Sequence, residues 1–272
     1  MGKKKVIEID FPPNVKVRWG HGNQKMQYIE NIFKEKIKNQ LEFIIKMEKY
    51  VPFFEKIDIK ETNETSPFWV QNWFPPLDGM SLYSMLSEYK PETYIEIGSG
   101  NSTKFACQAI KDQFLNTSVT SIDPFPRAEI DNISDHIIRE GLETVDVTMF
   151  DSLQENDVIF FDGSHRCFQN SDVTVFFIDI LPRLKKGVIV GIHDIFLPDD
   201  YPAPWLDRYY NEQYVLATHI LAKNSDFNLL FACNWLAKNY STELQNYASD
   251  KLKANLKEAK KEIRGGCCWF RT

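Results

Sequence analysis

After Pro91 the chain alternates short, largely apolar runs with stretches of helical periodicity, and this alternation constrains the fold more than any other feature. Residues 94–97, 119–122, 158–161 and 188–192 read as strands, and 102–115 and 170–181 as helices. Strand–helix alternation builds βαβ units and hence a parallel sheet. The runs do not alternate apolar with polar, as expected of strands whose two faces are both covered by helices. The expected fold is therefore α/β, Rossmann-like and doubly wound, with helices on both faces of a mostly parallel sheet. Further on, a helix is expected over 207–222, a strand over 228–231, a charged helix over 248–263 and a last strand at 268–270.

The first third of the chain has a different texture. Residues 1–22 look extended and irregular, with Pro12-Pro13, Gly20 and Gly22. Over 24–50, Ile29, Phe33, Ile37, Leu41, Ile44 and Ile45 recur at three- and four-residue steps, one stripe of a long amphipathic helix. Such a stripe packs on the main domain or on a second subunit, so a homodimer is one expectation. Residues 62–79 form an aromatic, proline-rich loop with Trp69, Trp73 and Phe74, which either caps the core or walls a substrate pocket. A helix follows over 81–89. The expected division is an N-terminal helical extension with the aromatic loop over 1–80 and the sheet domain over 81–272.

Charge and cysteine usage exclude some functions. A formal net charge of −6 disfavours a nucleic-acid groove. The five cysteines are odd in number and form no CxxC pair, which suits reduced thiols in a cytoplasmic protein rather than a disulfide frame or a zinc site. Glu8, Asp10, Pro12 and Pro13 interrupt any secretory core, and Val6 stands where a myristoylation signal has Ser or Thr. No run approaches the ~20 apolar residues of a membrane span.

The ligand loop is expected at Tyr94-Ile95-Glu96-Ile97-Gly98-Ser99-Gly100-Asn101-Ser102-Thr103, which reads as strand, glycine turn and helix start. Asn101 or Ser102 is expected to cap the helix. The dinucleotide fingerprint is incomplete, because Thr103 occupies the third glycine position. Glu96, expected at the mouth of the loop, would be unfavourable beside a pyrophosphate but suits a ligand carrying an ammonium and a sulfonium, which describes S-adenosylmethionine. Gly98, Ser99, Gly100 and Ser102 would line that cofactor. Asp123, at the tip of the second strand, is placed to take both ribose hydroxyls.

Two strand ends carry polar clusters, Phe161-Asp162-Gly163-Ser164-His165 and Ile192-His193-Asp194. In neighbouring parallel strands they would face one cleft. Methyl transfer to oxygen needs a base, and His165 is the candidate because imidazole titrates near neutrality. Asp162 also belongs to this catalytic pair. Asp162 and Asp194 offer hard oxygens for Mg²⁺ or another divalent metal. His193 is either a third ligand, favouring a transition metal, or points to the other side of the strand. Arg208, Asn211 and Glu212 share one side of the expected 207–222 helix and either hold substrate or form a solvated face. Trp73 either stacks on a sugar or fills core. A NAD-dependent oxidoreductase and a non-catalytic binding protein are the alternatives.

These segments resemble class I S-adenosylmethionine-dependent methyltransferases of the sugar and natural-product O-methyltransferase branch, which includes macrolide sugar O-methyltransferases and cephalosporin hydroxylase-like proteins. The resemblance runs through Glu96–Thr103, Asp123, Phe161–His165, Leu181–Leu184, Gly187, His193–Pro198, Tyr201-Pro202 and Tyr210–Tyr214, covering about 90 to 215. It implies a seven-stranded sheet ending in an antiparallel hairpin. Cofactor contacts at Glu96, Gly98, Gly100 and Asp123, Mg²⁺ at Asp162 and Asp194, and His165 as base are also implied. The metal-dependent sugar members carry Glu-Asp where this chain has His193-Asp194. The implied reaction moves a methyl group to a hydroxyl of a sugar or related polar small molecule.

Overall fold

The computed structural model describes residues 10, 14–246 and 248–272; most of the irregular start, including Pro12-Pro13, lies outside them. Seven strands form one sheet: β1 (Thr93–Ile97), β2 (Ser118–Ile122), β3 (His136–Ile138), β4 (Val158–Phe161), β5 (Ile189–Ile192), β6 (Asn228–Ala232) and β7 (Cys268–Arg271). Their order is β3-β2-β1-β4-β5-β7-β6. The strands from β1 to β5 pair in parallel, and β7 runs antiparallel between β5 and β6. This is the mostly parallel, doubly wound sheet expected from the sequence, with the antiparallel hairpin at one edge. The chain reverses direction outward from β1, so the carboxyl ends of β1, β2 and β4 surround the crevice where such sheets bind ligands.

The helices are α1 (Gln27–Glu35), α2 (Ile37–Met47), α3 (Val51–Phe54), α4 (Pro76–Tyr89), α5 (Asn101–Asp112), α6 (Asp172–Val175), α7 (Glu212–Lys223), α8 (Cys233–Asn239), α9 (Ser241–Asn246) and α10 (Asp250–Glu258). The long helix expected over 24–50 is broken at Lys36, where the backbone leaves helical values. Of its stripe, Ile29, Phe33 and Ile44 are buried while Ile45 is exposed; Phe33 meets Trp235 of α8 at 5.7 Å, and Phe43, outside the stripe, meets Phe231 of β6 at 5.3 Å. Buried Gln40 secures the junction by accepting the Ala232 N–H at 3.0 Å. The bend lets α2 lie along β6 while α1 turns onto α7.

Helix α4 starts at Pro76, where a missing N–H costs nothing, so the segment assigned to the extension already contributes its first turn. It is buried nearly all round, including Asp78 at its first turn. The Asp78 carboxylate accepts the Gly266 and Cys267 N–H groups at 2.7–2.9 Å, and these backbone donors tie the last strand's entry to the helix. The expected helix over 170–181 is instead a short α6 followed by a wide turn at Phe176–Ile180 and a tight one at Leu181–Arg183. Pro182 removes a backbone donor there and prevents a regular continuation.

Candidate active site

Strand register brings the functional residues to one level. Ile97 pairs with Ile122 on one side and Phe161 on the other, and Phe161 pairs with Ile192. The next residue of each strand, Asp123, Gly98, Asp162 and His193, therefore leaves the sheet along one edge. Backbone bonds hold that edge: Gly98 N–H to Ile122 O at 2.9 Å, Asp162 N–H to Ile97 O at 2.8 Å and His193 N–H to Phe161 O at 3.0 Å.

Gly98 has φ +82°, and a Cβ there would lie 1.8 Å from the Asp162 carbonyl oxygen. Only glycine permits both the turn and this contact with β4. A cavity of about 440 Å³ opens over the turn. Its wall includes Gly98, Ser99, Gly100 and Ser102 from the loop, Asp123 from β2, and Asp162 from β4. The Ser99 hydroxyl is buried there without a hydrogen-bond partner, a polar group left for a ligand. Asp123 accepts the Ser99 N–H at 2.9 Å and the Phe125 N–H at 2.7 Å, which fixes its carboxylate at the rim. Trp73 stands at the opposite rim, largely exposed, under the Arg127 guanidinium at 4.5 Å.

Glu96 is not at the mouth of this cavity. It is fully buried in β1 and outside the cavity wall, so the expected acidic entrance does not exist at this residue. Its side chain leaves the sheet on the face covered by α5 and meets the hydroxyl of Thr103 there. Thr103 in turn accepts the Gly100 N–H at 2.9 Å, so the glycine turn rests on Glu96 through one intermediary. Burial pushes the Glu96 carboxyl up to about 8, only partly offset by the Ser102 and Thr103 hydroxyls. A protonated carboxyl suits that setting, since an ionised one would be desolvated without a cation. Neither Asn101 nor Ser102 caps α5; Gly100 is the capping position and Thr103 supplies the side-chain acceptor.

Beyond Asp162 lies a buried cluster of acids and imidazoles. His165 Nε2 faces Asp162 at 3.3 Å and Asp194 at 3.5 Å, while its Nδ1 faces Glu212 at 3.3 Å. His193 Nδ1 faces Asp162 at 3.3 Å, and its Nε2 faces Asp78 at 3.2 Å. His165 and Asp194 both adopt left-handed backbone values, φ +60° and +57°. Such conformations are costly for residues with a side chain and persist where the surroundings hold them. Burial alone would depress His165, but Glu212, Asp162 and Asp194 outweigh it and raise it well above the usual histidine range. His193 is raised in the same way by Asp162, Asp194 and Asp78. The two imidazoles hold Asp162 far below the ordinary carboxylate range although burial opposes them.

The donor atoms of Asp162, His165 and Asp194 lie within 4.8 Å of one another, and those of Asp78, His193 and Cys267 do likewise. Hard oxygens with one imidazole fit a divalent cation. His193, expected as a possible third ligand beside Asp162 and Asp194, turns its Nε2 toward Asp78, which fixes the ring from behind.

The three residues expected on one helix face go separate ways. A tight turn spans Ala203–Arg208, Tyr209 takes φ +54°, and α7 begins only at Glu212. Glu212 is fully buried against His165. Asn211 accepts the Cys167 N–H at 2.6 Å and donates its own N–H to the His165 carbonyl at 2.9 Å. Arg208 lies outside, over Trp205. Sequence reasoning missed Asp78, which tertiary packing alone brings to His193, and missed Arg127 and the Gly141-Leu142-Glu143 wall of the cavity. The last three follow β3, whose brevity hid them.

Residues 95–195 match the sequence profile of a family described as a methyltransferase domain. An Archaeoglobus fulgidus protein described as uncharacterized is 27% identical over 125 residues, which is 43% of this chain. The match spans 56% of that relative, little more than half its length. Among solved structures, the plantazolicin methyltransferase BpumL, in complex with a pentazolic desmethylPZN analog and SAH, is 18% identical. The overlap covers 88% of this chain and 98% of that one, with a TM-score of 0.44. The O-methyltransferase TomG from Streptomyces achromogenes, in complex with SAM, is 16% identical over 69% of this chain and 81% of its own, with a TM-score of 0.37.

Proposed function

We propose that this chain, whose residues 95–195 match the profile of a methyltransferase domain, is a class I, S-adenosylmethionine-dependent enzyme that transfers a methyl group to a hydroxyl of a sugar or related polar small molecule. One observation carries the reading: Asp123, Gly98 and Asp162 leave the sheet at one level around a single cavity, and His165 lies just behind Asp162. Asp123 would take the ribose hydroxyls, Gly98 to Ser102 would lie along the amino-acid part, and Leu142 and Glu143 would flank the base. The cofactor supplies a methyl group on a sulfonium, displaced in line by the acceptor oxygen.

Within that frame the chain's own groups have distinct work. As the C–S bond breaks and the C–O bond forms, the acceptor hydroxyl must lose its proton. His165 Nε2 is the atom that would take it, and Glu212 on Nδ1 would stabilise the resulting imidazolium. His165 needs its neutral form first, so transfer should fall away on the acid side, and its raised affinity for protons shifts that fall toward higher pH. Asp162 and Asp194 would hold a divalent cation if one binds, leaving Nε2 of His165 for the proton; the cation would acidify the acceptor hydroxyl. Asp78 and His193 orient Asp162 from behind.

The alternatives give way for stated reasons. The profile match is to a methyltransferase domain rather than to a dinucleotide oxidoreductase. A non-catalytic binding protein would have little use for six titratable groups gathered beside the cavity, four of them buried. Within the described residues no helix is long and apolar enough to cross a membrane. The reading is tested by single-turnover transfer from labelled S-adenosylmethionine into a panel of hydroxylated acceptors, comparing the native protein with His165→Ala and Asp162→Asn. Expected is retained binding of adenosylhomocysteine in both variants with transfer reduced at least about a hundredfold. Equal transfer in all three proteins would refute the assigned roles.

A further inference from the structure

The loop ahead of α7 builds a second feature beside His165. Arg208 places its guanidinium carbon 4.1 Å from the Trp205 ring centre and 5.6 Å from that of Tyr210. Arg166 reaches the same Tyr210 ring at 4.8 Å. The Tyr210 ring lies 4.7 Å from the His165 imidazole. Two guanidinium groups therefore stand one aromatic ring away from the candidate base.

Their partners are incomplete. Among the described residues the arginines in ion pairs are Arg139, Arg183 and Arg271; Arg166 and Arg208 are not among them. Arg166 is held in place by donating to the Arg208 carbonyl at 3.0 Å and to the Ser164 carbonyl at 3.0 Å. These use only part of its fork of five N–H donors. The Arg208 backbone is thereby fixed, while its exposed guanidinium sits over the Trp205 ring. A stacked guanidinium keeps its edge free and loses little freedom when it takes a planar anion.

The charge pattern gives this shelf a direction. The interior beside it holds Asp162, Asp194 and Glu212 around His165. An anionic group pushed inward would meet those carboxylates, whereas at the shelf it meets two free cations. We propose that Arg166 and Arg208 bind a carboxylate or phosphate carried by the methyl acceptor, so that the acceptor is a sugar acid or sugar phosphate with its reacting hydroxyl turned toward His165. This rests on the methyltransferase reading of the site and names its substrate class. Trp205 and Tyr210, whose rings stand edge to face at 82°, form an apolar corner against which a sugar ring can pack.

The test is calorimetric titration of the protein saturated with adenosylhomocysteine, using glucose, glucuronate and glucose 6-phosphate as probes. Adenosylhomocysteine is titrated first. Its failure to bind would strike the reading of the site itself, whereas its binding without any acid preference would strike only the shelf. At least one acid is expected to bind about tenfold more tightly than glucose, the worth of one charge-assisted hydrogen bond. The stronger acid identifies carboxylate or phosphate as the recognised group. Arg208→Gln should bring acid and neutral probes to within about twofold of one another, and Arg208→Lys should restore part of the difference. Because Arg208 is exposed and its guanidinium donates to no described residue, melting temperature and adenosylhomocysteine affinity should match the native protein and report an intact fold. The inference is overturned if neither acid outbinds glucose, if no probe binds at millimolar concentration, or if the preference survives both Arg208→Gln and Arg166→Gln.

Discussion

Replacing Glu96 by glutamine should stabilise the protein, and only at higher pH. The side chain is fully buried against Thr103, and its carboxyl is pushed from 4.5 up to about 8. The sign follows from which state keeps the proton. Above pH 4.5 the unfolded chain releases it, while the folded protein holds it until about pH 8. Folding therefore loses about 1.4 kcal/mol for each pH unit across that window and nothing further above it. From pH 5 to pH 8 the cost amounts to about 4 kcal/mol. Glutamine cannot ionise, keeps the shape and still accepts the Thr103 hydroxyl.

Urea and thermal unfolding of both proteins at pH 5, 6, 7 and 8 give the difference directly, since all other titrating groups cancel. The two should match near pH 5 and separate by about 4 kcal/mol at pH 8, on the order of 10 °C in melting temperature for a domain of this size. Adenosylhomocysteine affinity should change by less than about threefold, because Glu96 does not line the cavity. A stability difference independent of pH would refute the burial argument. An affinity loss of about two orders of magnitude would restore Glu96 as a direct reader of the ligand's ammonium group.

Other outcomes follow from the same geometry. Gly98→Ala should cost at least about 3 kcal/mol in urea unfolding, because its methyl carbon would overlap the Asp162 carbonyl at a positive φ. Asp123→Ala should weaken adenosylhomocysteine binding by about tenfold to a hundredfold in calorimetry, the worth of charge-assisted bonds to a ribose. The His165 ring resonances should titrate above the ordinary histidine range in NMR, and Glu212→Gln should move that titration to lower pH, because Glu212 is the foremost of the charges that raise it. Manganese titration followed by calorimetry should give one binding event that Asp162→Asn and Asp194→Asn both abolish.

The central strands were legible because a doubly covered strand must be apolar on both faces, and β1, β2, β4, β5, β6 and β7 all lie within about two residues of their expected places. Strand β3 is three residues long at the sheet edge, too short for any period to register. The break at Lys36 carries no proline or glycine to announce it. In the site, Asp123, Asp162, His193 and Asp194 could be read from sequence because each directly follows or nearly follows a strand, where the chain must leave the sheet. The partners that set their chemistry could not. Sequence reasoning does not name Asp78, from α4, at all, and names Glu212, from the first turn of α7, only as a candidate substrate contact; only packing brings them to the two imidazoles. Glu96 failed for a related reason: a strand residue two places before the turn has a face, and here that face is the one under α5.

The most direct test is a crystal soaked with adenosylhomocysteine. The account predicts density along Gly98 to Ser102, with the ribose hydroxyls on Asp123 and the sulfur directed toward Asp162. An empty turn at saturating ligand, or the nucleoside bound anywhere else on the molecule, would contradict it.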